Sequence, residues 1–549
     1  MSKCSYNLNL SGTDSHDNLL ERYDGWECDR ETHGDTEYCT FHLPVEKKTP
    51  EATTEAFRDS LQMKGREPNT LIGAKFAHLD LSYSTLEGVD NYPIVLHRAE
   101  IGRLSFRKGT VTHEIRLIDG SVGKLNCYDA TFKKFVNFNS STVCEPELDY
   151  ATVDSGLSIK NAQINGFLRC KNMDVEGDVR LSNTVVAGDK TAEEANLRSA
   201  DFGYEEELRN SKTYDSIVDF AEAKISDQLG LTEMRIDGSL QLSAAHIGTL
   251  ELIDTKFESE LTPNGLRGEE AVLRLRMTDT RIEDVQIGPL PLIDGPIVIR
   301  KGSFNSGEIF LSENGPDYIF YKSAVGNLIF NSERNKKDVF NRIRFQNTRF
   351  DGFEFADYTD ALSRVNWRIH SERSLSEGNH HPERHTTSPK IGTIVSTYLR
   401  CKNGAKQVGD NTAASEFFLK EMTFRGRMHT ANAVNATVAS EMIANGWKAI
   451  SNALLRVTAG YGERPSRTAL SSAAIVVLFG GMYTVLQPEL PYSIPLGYFV
   501  YSIESFVALV LGQPDTTDSV VSLLTAVEGF FGTFLIALFV FTLTRSINR

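Results

Sequence analysis

The sequence predicts a mixed multidomain chain: a coiled β-rod with roughly four faces per turn, a helical connection, and an α-helical membrane domain of two spans with a short re-entrant helix between them. Three observations predict it. A bulky apolar residue recurs every five positions from about Leu71 to Tyr358, helical spacing returns from Ile391, and the last ninety or so residues are far more apolar than the rest. At 549 residues the chain exceeds one ordinary domain, so several folding units are expected.

Charge and cysteine usage set the outer bounds. Seventy-three acidic residues against 58 basic give a net charge of −15, which argues against nucleic acid as a partner and against a polybasic lipid anchor. The opening MSKCSYNLNLSGTDSHD lacks the apolar core of a signal peptide, so the N-terminus is expected to stay in the cytoplasm. Seven cysteines, an odd number scattered from Cys4 to Cys401, do not suggest a disulfide framework. Cys127, Cys144 and Cys170 read as free buried thiols.

Residues 1–48 form a small Cys/His segment. Cys4, Cys28, Cys39 and His42 offer three thiolates and one imidazole, a set that zinc accepts in tetrahedral structural sites. The Cys39-x-x-His42 spacing lets one tight turn aim both side chains at one ion, and about 45 residues bury little core without such a staple. The irregular spacing of Cys4 and Cys28 keeps free thiols open as the alternative, with His33 as a substitute ligand.

Over 71–358 a small or polar residue precedes a bulky apolar one by two positions, as in Ala195-Asn-Leu197 then Ala200-Asp-Phe202, or Val218-Asp-Phe220 then Ala223-Lys-Ile225. The run Phe345, Phe350, Phe355 keeps the same step, and Ile164, Val175 and Val186 drift to eleven, two units plus one. Neither helical period nor strand alternation gives five, whereas a coil with one inward side chain per five-residue face does. Such a row is covered only when coils stack, so a rod with atypical caps at both ends is expected. Polar insertions at 187–194, 204–215, 258–270 and 332–338 read as loops leaving it. No Asp, His or Arg cluster recurs in register, so no enzyme is expected, and the rod reads as a scaffold or as a surface for an unknown ligand or protein.

Residues 359–390 read as a linker. From His370 on it is rich in Ser, Glu, His and Pro, and His370, His380, His381 and His385 lack a spaced partner to complete a metal site. Helical spacing at 391–399, 412–427 and 433–457 predicts a cytoplasmic hairpin and a connecting helix over 391–460, with Gly404 and Gly409 in the first turn.

The membrane domain covers 461–549. Stretches 469–486 and 520–544 are uncharged apart from Glu528 and long enough to span, since ~20 apolar residues cross a bilayer as helix. Between them 498–511, YFVYSIESFVALVL, is too short and too close to Gly512-Gln-Pro514 to span alone, so a re-entrant helix is expected. Arg456, Arg464 and Arg467 precede the first span, Arg545 and Arg549 follow the second, and the connection has no Lys or Arg. This asymmetry predicts a multi-pass protein of the cell membrane, in contact with lipid, with both termini cytoplasmic.

The five-residue units, with Leu or Phe preceded by Ala, resemble the pentapeptide-repeat family, and that implies a right-handed quadrilateral β-helix. The C-terminal third resembles prokaryotic two-helix, pore-loop proteins of potassium-channel type that carry such repeats, through SEFFLKEMTFRGR at 415–427, GYGERPSR at 460–467, YSIESF at 501–506 and EGFFGTFLIALFVFTLTR at 528–545. The resemblance implies a homotetramer that conducts monovalent cations. A tetramer also follows from re-entrant backbone, which needs protein or water around it that one two-helix subunit does not supply. The resemblance places Ala508, Leu509, Val510, Leu511 and Gly512 at the filter, where such channels carry Thr-Val-Gly-Tyr-Gly, and only Gly512 matches. Val510 is β-branched and poor at the positive φ of the first filter glycine, so weakened potassium selectivity is expected, with a non-conducting membrane-anchored scaffold as the alternative.

Three more residues stand out. Glu528 lies in the outer third of the second span, where an ionisable group needs a partner such as Tyr501, Ser502 or Ser505, or else snorkels to the interface. Gly529 and Gly532 sit where the resembled channels place a hinge, and tight helix packing explains them equally.

Overall fold

The computed structural model describes residues 2–9, 22–187, 216–236, 238–257, 275–290, 296–333, 338–370, 390–486, 496–508, 512, 514 and 519–547. They fall into two compact units, one centred on the residues up to Phe353 and one on Thr387–Arg549.

In the first unit, residues 75–350 form a β-solenoid of about 10 turns. Its strands are short and pair in parallel, each with the strand one turn later. Leu86, Val111, Phe132, Val153, Val175, Ile225, Ile247, Ile282, Phe304, Val325 and Phe350 therefore stand one above the next in register. All are buried. The stack hides a row that a single coil would leave in water, and each side chain of this size contributes about 1.5–3 kcal/mol on full burial.

The five-and-eleven rhythm has a backbone cause. Arg98, Lys108, Asp119, Asp129, Ser140, Tyr150 and Asn161 all have φ between 52° and 62°, so a left-handed corner recurs every ten or eleven residues. Several corners carry Asp, Asn or Ser, which tolerate this conformation better than branched residues.

Phe220, Ile225, Phe345 and Phe350 are inside, as their place in the units predicts, and so are Ile164, Val175 and Val186. Phe202 lies outside the described residues. Phe355 departs from expectation: it is buried, but in a 3₁₀ turn, Phe355–Tyr358, beyond the last strand. Of the insertions, Ala187 and Ser332 still belong to strands, and most of the remainder falls outside the described residues. The linker also begins later than expected, because Thr359–Arg364 is helical and His370 bridges Phe345 of the last coil.

The N-terminal cap is a helix, α1 (Pro50–Leu61). Thr49 accepts the Ala52 N–H at 3.2 Å and Pro50 opens the first turn, an N-terminal signature present in the sequence. Phe57 then meets Phe76 of the first strand edge-on at 6.4 Å. Nearby, His97 is buried and its pKa is pushed down to about 3, first by burial and then by the charges of Arg116 and Arg66. An unfolded histidine takes a proton near 6.5, which the folded rod refuses until about 3, so stability is complete above 6.5 and falls as pH drops towards 3. By about pH 4 the loss should reach on the order of 3 kcal/mol. Hydrogen exchange of the neighbouring strand Ile94–Val95 should accelerate on acidification relative to a His97→Leu variant.

The second unit consists of α2 (Ile391–Gln407), α3 (Asn411–Val434), α4 (Ala439–Ala459), α5 (Pro465–Leu486), α6 (Gly497–Phe506) and α7 (Ser519–Ile547). Gly404 lies inside α2 rather than in the turn, and Gly409, at φ 84°, belongs to the break before α3. Helices α2 and α3 form the expected hairpin, tied by buried Glu421 to Lys402 and to Arg425, each at 2.6 Å. Helices α5 and α7 are long and apolar enough to cross a membrane. The short α6 packs on both and ends at Phe506; Ala508 is helical again, and the last three residues of the expected 498–511 helix lie outside the described residues.

Candidate metal centre and a buried membrane carboxylate

The clearest assembled site is at the N-terminus. Cys4, Cys28, Cys39 and His42, 38 residues apart in sequence at the extremes, bring three Sγ atoms and one ring nitrogen within 4.8 Å of one another, all four residues buried. Cys39 Sγ stands 3.3 Å from His42 Nδ1 and 3.8 Å from Cys28 Sγ, and Cys4 Sγ lies 3.3 Å from the same Nδ1. His33 is exposed and outside the cluster, beside Thr40.

Local structure aims these atoms. The His42 N–H bonds back to the Cys39 carbonyl at 3.0 Å, closing the tight turn that the Cys-x-x-His spacing predicts. The Cys39 N–H points at Cys4 Sγ, 3.3 Å away, and the Arg30 and His42 N–H groups favour negative sulfur at Cys28 and Cys39 respectively. His42 Nε2 lies 2.7 Å from the Ile72 carbonyl, which only accepts, so Nε2 carries the proton and Nδ1 presents a bare lone pair to the sulfurs. The Tyr6 ring stacks on this imidazole at 4.0 Å and fixes its plane.

Electrostatics agree with a site for a cation. The Cys28 thiol is held well below the usual range, chiefly because Cys39 Sγ–H donates to it, and Cys39 is pushed up by the adjacent Cys28 thiolate and by burial. A buried thiolate whose neighbours are thiols and a bare nitrogen is poised for a metal ion. Lys48, lowered to about 8 by burial, bonds the Thr40 and Phe41 carbonyls beside the cluster. By contrast, Cys127, Cys170 and Cys401 are raised chiefly by burial, with nearby carboxylates adding to it at Cys127 and Cys170, as expected for inert core thiols.

A second polar centre sits between α5, α6 and α7. Glu528 is fully buried, so it does not snorkel. Its carboxylate accepts from Tyr483 Oη at 2.9 Å and bonds Ser502 Oγ, while Ser502 also reaches the Val476 carbonyl at 2.9 Å. Tyr501 joins through Thr525, 3.2 Å from its hydroxyl, and Ser505 is buried nearby without contacting the acid. Of the three partners that the sequence suggested, Ser502 bonds the acid directly, Tyr501 reaches it only through Thr525, and Ser505 does not bond it. Tyr483 and Thr525 were not suggested, although a tyrosine and a threonine interrupting apolar spans were the available signal.

Glycine explains how closely α6 and α7 approach. A Cβ on Gly532 would lie 1.9 Å from the Phe506 carbonyl oxygen, so packing accounts for this residue, and α7 runs unbroken through Gly529 and Gly532. Gly532→Ala should push the helices apart at a cost of about 1–3 kcal/mol. Thermal unfolding in detergent, reading loss of the α6 packing, checks it.

At the filter position, Ala508 is buried, and Leu509, Val510 and Leu511 lie outside the described residues. Gly512 adopts φ 102° and its N–H donates to the Ala508 carbonyl at 2.7 Å. A further link went unread in the sequence: buried Glu463 accepts from Ser415 Oγ at 2.8 Å and pairs with Arg545 at 2.5 Å. It thereby ties α3 and the end of α7 to the Gly-Tyr-Gly turn before α5. Compared with known protein families, curated proteins and solved structures, the chain shows no match.

Proposed function

We propose that this is a membrane-anchored β-solenoid protein whose helices α5, α6 and α7 assemble, as a homotetramer, around a pathway for monovalent cations with weak potassium preference. The observation that carries this reading is α6. Ten residues are too few to span a bilayer, yet α6 is wedged against both long apolar helices and fastened there by the buried Glu528 network. Its other side leaves Ile503 and Glu504 exposed, a mixed surface suited to neighbouring subunits and a wet pathway rather than to lipid. The arginines before α5 and at the end of α7 support cytoplasmic termini in the cell membrane.

Weak selectivity is supported by the hydrogen bond between Gly512 and Ala508. A potassium filter directs successive backbone carbonyls at the ion, whereas the Ala508 carbonyl is engaged by Gly512. Restoring Ala508→Thr, Val510→Gly and Leu511→Tyr together should raise potassium over sodium permeability in reversal-potential recordings. If neither version conducts, the second reading, a non-conducting anchor for a solenoid that displays a binding surface, replaces the first.

The N-terminal cluster holds a structural zinc in this proposal. Bonds of about 2.3 Å to sulfur and 2.0–2.1 Å to nitrogen set tetrahedral S···S edges near 3.8 Å and S···N edges near 3.6 Å. The separations of 3.8 and 3.3 Å lie close to these. With four protein ligands no position stays open, so the ion is structural rather than catalytic.

A further inference from the structure

Helix α4 is packed the wrong way round for water. It rests on α3 through small and polar groups: Asn452 Nδ2 donates to the Met422 carbonyl at 3.1 Å, Asn452 Oδ1 accepts from Tyr461 at 2.8 Å, and a Cβ on Gly426 would strike Asn452 Oδ1 at 2.2 Å. The opposite face carries Ile443, Trp447, Ile450, Leu454 and Val457, spaced four, three, four and three, and exposed by 69%, 69%, 62%, 60% and 69%. A globular protein in water puts such a stripe inside. Something apolar covers it.

The position of the helix in the chain identifies the cover. Gly460, Tyr461 and Gly462 turn α4 directly into α5, the first membrane-crossing candidate. Ser471, seven residues into α5, bonds the Thr458 carbonyl at 3.3 Å, and Arg467 bonds the Arg456 carbonyl at 3.0 Å. The last turn of α4 is thus level with the first turns of the span, where headgroups meet acyl chains. An exposed tryptophan in the stripe suits that boundary, since its ring is apolar and its N–H is wet. A second copy of α4 is the rival occupant, but its charges, Glu441, Lys448 and Arg456, are too few to form the flanking ion pairs of a paired seam.

We infer that α4 is an interfacial helix, lying in the headgroup–acyl boundary of the bilayer with its Ile443/Trp447/Ile450/Leu454/Val457 face immersed in lipid. The inference rests on membrane insertion of α5 and α7. Of the three tryptophans, Trp26, Trp367 and Trp447, only Trp447 is strongly exposed.

The full-length protein in phosphatidylcholine vesicles with brominated acyl chains tests this. Trp447 should lose most of its emission, more with bromines near the headgroup than with bromines deep in the chains, and Trp447→Phe should abolish the quenchable component. Carbonate extraction reports the spans separately. Protein that resists extraction but shows no quenching beyond the Trp447→Phe level overturns the interfacial helix alone. Protein released by carbonate overturns the membrane reading and this inference with it. Disulfide cross-linking between copies of an Ile450→Cys variant, without quenching, assigns the stripe to a second copy instead.

Discussion

Cys39→Ser should empty the N-terminal metal site and open the segment that it staples. Cys39 touches both Cys28 Sγ and His42 Nδ1, and its turn delivers His42, so the substitution removes one ligand and loosens a second. A structural zinc contributes folding free energy directly, about 10–16 kcal/mol in small isolated fingers at neutral pH. Here the His42–Ile72 bond and the Tyr6 stack share the load, so local opening is expected rather than loss of the rod. Elemental analysis should fall from one zinc per chain to none, and residues 22–48 should lose hydrogen-exchange protection. Acid should release the ion from the unaltered protein, because protons compete for three thiolates and an imidazole. Purified protein without zinc, or a variant with unchanged protection, contradicts the assignment.

Phe350→Asp should destabilise the last coil by on the order of 3–5 kcal/mol, the range for an unpaired buried charge. The ring sits at the end of the long apolar row, packed on Val325 and edge-on to Phe345 at 5.0 Å. The described members of that row are all buried and apolar, so none of them pairs with a carboxylate there. Limited proteolysis should cut first near 324–353, and a variant as resistant as the original would contradict the stacked core.

The rod was legible because its period is a direct image of its geometry: five residues per face, with a left-handed corner every ten or eleven residues, as at Asp129 and Asn161. The cluster Cys4, Cys28, Cys39 and His42 was legible because few residue types make metal ligands and one pair had turn spacing. The cap helix α1 was missed, although Thr49-Pro50-Glu51 announced it, because the five-residue repeat drew the reading to residues after Leu71. The break at Val507 was not legible, since nothing in the composition of 498–511 marks Phe506 as the end of a helix. Helical spacing located α4, but spacing alone does not say whether an apolar stripe faces inward. The packing of Asn452 against Gly426 and the exposure of the stripe itself show that it faces out.

The pore reading stands or falls on current through the intact assembly. Full-length protein should be incorporated into planar bilayers, with its subunit number counted by native mass spectrometry and the reversal potential measured between potassium and sodium. The account predicts a tetramer that carries monovalent cations with a permeability ratio near unity. A tetramer that is strongly potassium-selective contradicts the reading of the Ala508–Gly512 hydrogen bond, and verified incorporation without current contradicts the pore itself.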